Sequence, residues 1–293
     1  MLQLLSINDI SKYMKNDFSV LMSLYYKESP VFFKQAIESI LGQTIIPAEF
    51  VLVEDGELPD SLEQVIVGYE HKIKEDYPDC HFKVLRFKEN RGLGYALNDG
   101  LKHCSYELIA RADADDICKP QRFEKQLKVF EEHPEYDLVS SWVDEFVDSP
   151  SKVTSVRTLP ETPEENLKYA KSRCPVNHPS VMYKKSAVLA ADGYLTKYFP
   201  EDYFLWIRML MNGCKFYNIQ ESLVYFRYSP ETFKRRGGWK YACDEAKVQT
   251  QIYQMGFTSL PQYLKNLIIR FTTRIMPNWI RGFIYQKMLR KAK

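Results

Sequence analysis

Three carboxylate side chains lie within four residues of one another in the segment 111–116, whose sequence is RADADD. Asp113, Asp115 and Asp116, here called the acidic cluster, repel one another when ionised, and a bound cation relieves that repulsion. Oxygen ligands suit Mg²⁺ or Mn²⁺, and Mg²⁺ commonly takes one or two carboxylates together with substrate phosphates. The segment therefore predicts a divalent metal that neutralises a diphosphate. The alternative is an acidic turn that caps the helix predicted after Pro120.

A second acidic pair, Glu201 and Asp202, follows Pro200 at the predicted start of a helix. Carboxylates at this position stabilise the positive end of the helix dipole. They could also act as a general base, which removes the proton of a substrate hydroxyl whose pKa lies far above neutral pH. His178, within the sequence Asn-His-Pro-Ser, is a further titratable candidate, and a structural role for it is an equally open interpretation.

The elements that must position these residues alternate between strand and helix patterns over the first half of the chain. Short apolar runs predict buried strands at residues 18–24, 50–53, 82–87 and 107–110. Amphipathic stretches between them predict helices, and such alternation is typical of a mostly parallel, doubly wound α/β sheet. Ligands bind beyond the carboxyl ends of the strands in these sheets. Asp55 and the acidic cluster each follow a strand, so we expect them to converge on one edge.

The composition is that of a globular α/β protein. Of 293 residues, 45% are apolar and 27% are charged, while the 14% of aromatic residues suits sugar stacking and an aromatic core alike. Six cysteines without a C-x-x-C pair argue against zinc and thioredoxin sites and indicate a reducing, cytosolic compartment. Asp9 and Lys12 come too early for the apolar region of a signal peptide. No run approaches the roughly 18 apolar residues of a membrane span.

The charge is unevenly distributed along the chain. Residues 246–293 contain nine Lys or Arg and no Asp or Glu, and subtracting these nine charges from the net charge of +2 leaves −7 for the preceding residues. An apolar helix stripe lies in the same segment, at Leu264, Leu267, Ile268, Phe271 and Ile275. We therefore predict a domain at residues 1–245 and a basic amphipathic helical tail at 246–293 that contacts an anionic membrane surface. The alternative is a pair of helices docked on the domain.

The chain resembles the family 2 glycosyltransferases, and it is most similar to the bacterial group that builds amylovoran, O-antigen and capsule. Six segments in the family's order carry the resemblance: LMSLYYKESP…AIESILGQT at 21–44, VLVEDG at 51–56, NRGLGYALNDGL at 90–101, ARADADDICKPQRFEKQ at 110–126, NHPSVMYKKSAV at 177–188 and EDYFLWIRMLMNG at 201–213. The resemblance implies the GT-A fold, an α/β fold with a Rossmann-like, doubly wound sheet, here followed by a C-terminal basic helical segment.

The resemblance also implies roles for individual residues. Asp202 matches the catalytic base, and Asp115 with Asp113 matches the metal-binding D-x-D pair. The residues that match the donor-nucleotide site are Tyr25, Glu54, Asp55, Asn90, Arg91, Arg111 and Asp113. The residues expected near the acceptor or the diphosphate are Glu201, His178, Arg227 and Arg235. This chain has Glu54 where many relatives have a first Asp, and Tyr26 where many have Asn.

The activity that the resemblance implies is an inverting hexosyl transfer, with Glc or Gal favoured. The donor would be a UDP-sugar, the cofactor Mn²⁺ or Mg²⁺, and the acceptor a lipid-linked saccharide of the undecaprenyl-diphosphate GlcNAc or GalNAc type. The product would carry a β-glycosidic bond in O-antigen or another surface polysaccharide. We expect a cytoplasmic protein that is peripherally associated with the inner face of the cytoplasmic membrane and has no nucleic-acid partner.

Three other functions make different predictions. A non-catalytic nucleotide- or carbohydrate-binding module on the same fold would not need both acidic motifs. A nucleotidyltransferase would need a Gly-rich loop with basic residues after the first strand, and SLYYKESP at 23–30 lacks one. Nucleic-acid binding by the tail would show an affinity that falls steeply with salt and needs no lipid.

Overall fold

Strands and helices alternate from residue 18 onward in the computed structural model, which describes residues 16–196, 200–228 and 237–276. The strands in these ranges are β1 (Phe18–Leu24), β2 (Glu49–Glu54), β3 (His81–Arg86), β4 (Leu108–Asp113), β5 (Ile117–Cys118), β6 (Leu138–Phe146), β7 (Val153–Arg157), β8 (Met182–Lys184) and β9 (Phe216–Arg227). The helices are α1 (Pro30–Leu41), α2 (Asp60–Asp76), α3 (Leu93–His103), α4 (Arg122–Glu132), α5 (Pro163–Ala170), α6 (Lys185–Ala190), α7 (Glu201–Met211), α8 (Trp239–Gln254) and α9 (Leu260–Ile275), and a 3-10 helix lies at His178–Ser180.

All nine strands belong to one sheet, whose order is β3-β2-β1-β4-β8-β6-β9-β5, with β7 paired to β6. Strands β3, β2, β1 and β4 are parallel to one another. Beyond them β8 runs antiparallel to both β4 and β6, while β9 runs parallel to β6. The predicted α/β class, with a doubly wound parallel sheet in the first half of the chain, is confirmed.

The carboxyl ends of three parallel strands lie side by side at one edge of the sheet. In the register of the strands Leu24 of β1 pairs with Glu54 of β2, and Ser23 of β1 pairs with Asp113 of β4. The segments that follow these strands therefore begin next to each other, as the sequence pattern predicts. We call this edge the site edge.

Two buried cores cover the two faces of the sheet. The first contains Met22 and Phe50 of the sheet together with Phe33 of α1. The second contains Leu21 and Val53 of the sheet with residues of α3, α7 and α8, among them Leu97, Trp206 and Val248. Gly100 allows α3 to lie directly on the sheet, because a Cβ at this position would come within 2.8 Å of the Val53 side chain.

The predicted domain boundary between residues 245 and 246 falls inside α8, which corrects the proposed division of the chain. Val248 and Ile252 of this helix are completely buried in the second core, so the basic segment does not begin as a separate unit there. Helix α9 then packs on α8. None of the described helices is long and apolar enough to cross a membrane. The remainder of the predicted tail, residues 277–293, lies outside the described residues.

A buried ion triad fastens α9 to α8. Glu245 is almost inaccessible to solvent and pairs with both Arg270 and Arg274. Burial alone would raise the pKa of Glu245, but the charge of Arg270 and the hydrogen bonds from both arginines outweigh it and leave the pKa below its ordinary value. The triad therefore stabilises the fold above the ordinary pKa of glutamate, and this contribution disappears as the pH falls through the lowered pKa.

We expect Glu245→Gln to lower the free energy of unfolding by about 3–5 kcal/mol at neutral pH, because two buried guanidinium groups lose their counter-charge. Denaturant unfolding at several pH values measures this effect, and the difference between the variant and the wild type should shrink under acidic conditions. Asp76→Asn removes an exposed ion pair with Lys72 and is the control, whose free energy of unfolding should stay close to that of the wild type. Equal, small losses in both variants would contradict a stabilising triad.

Candidate active site

The acidic cluster occupies the turn between β4 and β5 at the site edge. Arg111 lies on the same face of β4 as Asp113, two residues along the strand, and the two side chains form an ion pair. Burial alone would lower the pKa of Arg111, but the charge and hydrogen bond of Asp113, with the nearby Tyr194 and Asp116, together outweigh burial and the pKa rises. A permanently charged guanidinium therefore lies buried beneath the acidic cluster.

The carboxyl groups of the cluster are poorly accommodated as free anions. Burial, followed by the charge of Asp113, raises the pKa of Asp115 to about 6. Burial and the charges of the other two carboxylates raise the pKa of Asp116 well above its ordinary value. The Oδ2 atom of Asp116 is buried and has no hydrogen-bond partner within the described residues. This arrangement is electrostatically prepared for a cation.

Arg227, at the end of β9, also contacts the acidic cluster. Its backbone N–H donates to Oδ1 of Asp116 at 2.8 Å, and its Nε donates to the carbonyl oxygen of Asp115 at 2.9 Å. Its Nη2 donates to Gln35, and its guanidinium carbon lies 3.8 Å from the centre of the Phe32 ring. The sequence predicted Arg227 near the acceptor or diphosphate. In the structure Arg227 holds the acidic turn through these contacts, and its place near the acceptor or diphosphate stays a prediction.

The predicted nucleotide residues Asp55, Asn90 and Arg91 are brought together at the end of β2. The two carboxylate oxygens of Asp55 accept hydrogen bonds from the backbone N–H groups of Arg91 and Gly92, each at 2.8 Å. The side-chain amide of Asn90 donates to the carbonyl oxygen of Asp55 at 3.0 Å. Asp55 thus fastens the loop that leads into α3. Gly92 has a φ of 94°, a backbone conformation that residues with a Cβ rarely adopt.

Tyr25 joins the same edge, because it follows Leu24, whose carbonyl oxygen accepts a hydrogen bond from the Asp55 N–H at 2.8 Å. Glu54 instead forms an ion pair with Arg86 at 3.1 Å. Burial raises the pKa of Glu54 to about 7, although the charge of Arg86 opposes the rise. Neighbouring residues of a strand face opposite sides. In the structure Glu54 is engaged in an ion pair with Arg86, and its binding to the nucleotide stays a prediction.

The acidic pair at the start of α7 lies against the start of α3. A Cβ added to Gly94 would lie 3.6 Å from Cγ of Glu201 and 2.9 Å from Cγ2 of Thr196, so only glycine permits this approach. Burial, followed by the charge of Asp202, raises the pKa of Glu201 to about 7, and the charge of Arg111 opposes the rise. The carboxylate of Asp202 accepts a hydrogen bond from the N–H of the next residue at 2.7 Å.

Arg111 connects the two acidic motifs electrostatically. Its charge lowers the pKa of Asp115 and of Glu201 against the effect of burial, so both carboxyl groups lie within the reach of one guanidinium. The acidic cluster, the loop held by Asp55 and the start of α7 therefore surround a single region of the site edge. Arg235 lies outside the described residues.

His178 lies beside this region and is held by Tyr194. Its Nε2 atom is 3.0 Å from the hydroxyl oxygen of Tyr194, and its ring packs edge-on against Trp206. Burial and the nearby charge of Arg111 lower the pKa of His178 well below its ordinary value. The imidazole is therefore neutral near neutral pH, and it would meet an acceptor or a diphosphate as a hydrogen-bonding group rather than as a cation.

Asn98 is a residue to which the sequence interpretation assigned no role of its own. Its Nδ2 donates to the carbonyl oxygen of Tyr194 at 2.7 Å, and its Oδ1 accepts from the N–H of Tyr194 at 2.8 Å. Asn98 thereby ties α3 to the segment that leads into α7. The available signal was its position within the NRGLGYALNDGL segment, one helical turn beyond Gly94.

We expect Asn98→Ala to lower kcat by at least about tenfold and the free energy of unfolding by about 1–3 kcal/mol, since two backbone groups of Tyr194 lose their partner. Steady-state kinetics and denaturant unfolding together measure the two effects. Asn212→Ala is the matched control, because Asn212 donates to the carbonyl oxygen of Ala190 from an exposed position. A loss of stability without a loss of kcat would limit Asn98 to a structural role.

Solved structures define the class of protein to which this fold belongs. S. aureus TarS 1-349, in complex with UDP-GlcNAc, superimposes with a TM-score of 0.66 and 16% identity over 93% of this chain and 76% of that chain. The mannosyltransferase PcManGT from Pyrobaculum calidifontis, in complex with GDP-Man and Mn²⁺, gives a TM-score of 0.60 and 16% identity over 91% of this chain and 72% of that chain. The fold is that of GT-A glycosyltransferases.

Sequence comparisons identify the family. The family model described as Glycosyl transferase family 2 matches residues 19–188. The UDP-Gal:alpha-D-GlcNAc-diphosphoundecaprenol beta-1,3-galactosyltransferase of Escherichia coli is 39% identical over 94% of this chain and 97% of its own length. The amylovoran biosynthesis glycosyltransferase AmsE of Erwinia amylovora is 34% identical over 92% of this chain and 98% of its own length. The chain belongs to glycosyl transferase family 2, which confirms the family predicted from the sequence motifs.

Proposed function

We propose that this glycosyltransferase is a metal-dependent, inverting hexosyltransferase that moves Gal or Glc from a UDP-sugar to a lipid-linked saccharide. The convergence of the acidic cluster and the Glu201–Asp202 pair around Arg111 carries the proposal, because transfer needs a diphosphate-binding edge beside a base. The similarity to the Escherichia coli galactosyltransferase, over nearly the whole of both chains, favours UDP-Gal as the donor and a GlcNAc-diphosphate lipid as the acceptor.

The residues of the acidic cluster fit a divalent cation. Their carboxyl groups are crowded, the pKa values of Asp115 and Asp116 are raised, and one buried oxygen of Asp116 lacks a partner among the described residues. No three His, Cys, Asp or Glu side chains in the described ranges are arranged to hold a metal by themselves. This agrees with a Mg²⁺ or Mn²⁺ ion that takes one or two carboxylates, from Asp115 and Asp113, and completes its shell with phosphate oxygens. Such an ion would neutralise charge on the departing UDP.

The protein's own residues supply the remaining steps. Asp55 orders the loop of Asn90 and Arg91 for the nucleotide, and Tyr25 borders that pocket. Asp202 accepts the proton of the acceptor hydroxyl as the hydroxyl oxygen attacks the anomeric carbon from the face opposite the diphosphate. The bond to UDP breaks as the new β-glycosidic bond forms, and no covalent enzyme intermediate is needed. Arg111 and Arg227 hold the acidic turn in place throughout.

The acceptor lipid suggests where the protein works. A saccharide carried on a membrane lipid is presented at a bilayer surface, and UDP-sugars are cytoplasmic metabolites. We therefore place the protein at the inner face of the cytoplasmic membrane as a peripheral protein in O-antigen or related polysaccharide synthesis. The basic composition of residues 246–293 supports this location.

Release of UDP from a panel of UDP-sugars, in Mn²⁺, in Mg²⁺ and in EDTA, tests the proposal. The acceptors are synthetic GlcNAc-diphosphate and GalNAc-diphosphate lipids, and NMR of the product reads the linkage and anomeric configuration. We expect turnover with one donor, abolished by EDTA, and a β-linked product. Tight UDP binding without turnover for any donor would instead favour a non-catalytic binding module, and an α-linked product would reject the inverting mechanism.

A further inference from the structure

Helix α9 buries polar and charged side chains against the protein and leaves several of its apolar side chains exposed. Asn266 is buried and donates through Nδ2 to the carbonyl oxygen of Lys171 at 2.7 Å, and Arg270 and Arg274 point inward to Glu245. The outward side chains, together with Trp239 of α8, are between 46% and 69% exposed, and we call them the α9 apolar face: Leu260, Leu264, Ile268, Ile269, Ile275 and Trp239.

This orientation is the reverse of an ordinary surface helix, in which the apolar stripe faces the core and the charged residues face water. Burying two arginines is costly unless they are paired, and Glu245 provides that pair. A contiguous set of exposed aliphatic side chains marks a surface that another apolar phase covers. The sequence alone suggested lipid contact through basic and apolar residues alike. In the structure, however, Arg270 and Arg274 face the protein interior and pair with Glu245.

The charged residues of α9 and of the sequence that follows it favour an anionic lipid surface as the occupant of the α9 apolar face. Lys265 is the exposed charge of α9, and residues 277–293 add five Lys or Arg and no acidic residue. Cationic residues beside an apolar helix face are typical of helices that lie in the interface of an anionic bilayer. Trp239 adds an indole side chain, a group that is enriched at the membrane–water interface.

The inward side of α9 reaches the predicted base. The guanidinium carbon of Arg270 lies 5.2 Å from the centre of the Tyr203 ring, and Tyr203 follows Asp202 in α7. Arg270 also donates to the carbonyl oxygen of Ser172 at 2.6 Å. A surface that holds α9 in place therefore also helps to fix the position of the start of α7.

We propose that the α9 apolar face rests on an anionic lipid bilayer and holds the start of α7 close to the headgroup layer. A lipid-linked diphosphate acceptor then meets Asp202 without leaving the membrane. The acceptor part of this inference rests on the proposed function, whereas the membrane contact can be measured without it.

Co-sedimentation of the full-length chain with vesicles tests the surface. One set of vesicles contains equal amounts of phosphatidylglycerol and phosphatidylcholine, and the other contains phosphatidylcholine alone. We expect binding to the anionic vesicles and at least about tenfold weaker partitioning for Ile268→Glu, because an isoleucine no longer enters the apolar layer. Val67→Glu is the matched control, since Val67 is 45% exposed on the distant helix α2. Equal binding by both variants and the wild type would overturn the proposal.

Two further measurements separate the alternatives. If a second copy of the chain covers this face, sedimentation velocity will show a dimer that Ile268→Glu dissociates while vesicle binding stays unchanged, and the proposal fails. Turnover of a water-soluble short-chain acceptor should be the same in Ile268→Glu and the wild type, whereas turnover of a vesicle-embedded acceptor should fall at least about tenfold, in line with the loss of partitioning. A wild-type protein that binds vesicles but transfers no sugar would refute the proposed function without contradicting the proposed membrane contact.

Discussion

Asp202→Asn is expected to lower kcat by roughly 10²–10⁴-fold, with little change in the affinity for UDP. The amide has nearly the shape of the carboxylate but cannot accept a proton, so the acceptor hydroxyl must attack without a base. Asp202 follows Glu201, whose side chain lies against Gly94 at the start of α3, so we expect the effect to be specific to transfer. Steady-state kinetics on the lipid-diphosphate acceptor and calorimetric titration with UDP measure the two quantities.

Two control variants accompany this measurement. Asp79→Asn changes an exposed carboxylate in the turn after α2 and should leave kcat unchanged. Asp202→Glu keeps a carboxylate but moves its oxygens by about one bond length, so we expect partial activity between the wild type and Asp202→Asn. If Asp202→Asn retains wild-type kcat, the base is another group, and Glu201 is then the first candidate.

Asp115→Asn should reduce kcat/KM by on the order of 10³-fold and raise the Mn²⁺ concentration needed for half-maximal activity. The carboxylate at this position carries the charge that a divalent ion would neutralise, and burial has already raised its pKa to about 6. An amide oxygen is a weaker ligand and leaves the diphosphate of the donor less well compensated. Activity across a Mn²⁺ series, with and without EDTA, reads both effects.

The control for this variant is Asp79→Asn, which changes an exposed carboxylate outside the acidic cluster. We expect its Mn²⁺ dependence to match the wild type. Asp115→Asn with an unaltered Mn²⁺ dependence would remove Asp115 from the metal site. Equal activity in Mn²⁺ and in EDTA would show that transfer does not require a metal ion.

The site was predictable from the sequence to the extent that it depends on short segments. Short, largely apolar runs of four to seven residues locate β1, β2 and β4, and acidic residues at the ends of β2 and β4 locate one edge of the sheet. Hydrophobic periodicity is a local property, so it can be read from the residues themselves. The family motifs add the roles of Asp202 and Asp115, which stay predictions until the variants above are measured.

The second half of the sheet was less accessible to sequence reasoning. Strand β9 is the longest in the described part of the chain, yet its sequence, FYNIQESLVYFR, mixes polar and apolar residues without a clean alternation. Its place between β6 and β5 follows from long-range pairing, with two register shifts against β6. Asn98 was overlooked for a similar reason, since its partner Tyr194 is 96 residues away in the chain.

The sequence by itself therefore determined the α/β class, the family and the placement of Asp55 and the acidic cluster at one edge, because each depends on short local patterns and on their order along the chain. Only the tertiary structure decided which charged side chains are already engaged. Glu54 pairs with Arg86, Arg227 braces the acidic turn, and the arginines of α9 face inward to Glu245. The availability of a charged group depends on distant neighbours and on burial, and neither is encoded in the spacing of residues along the chain.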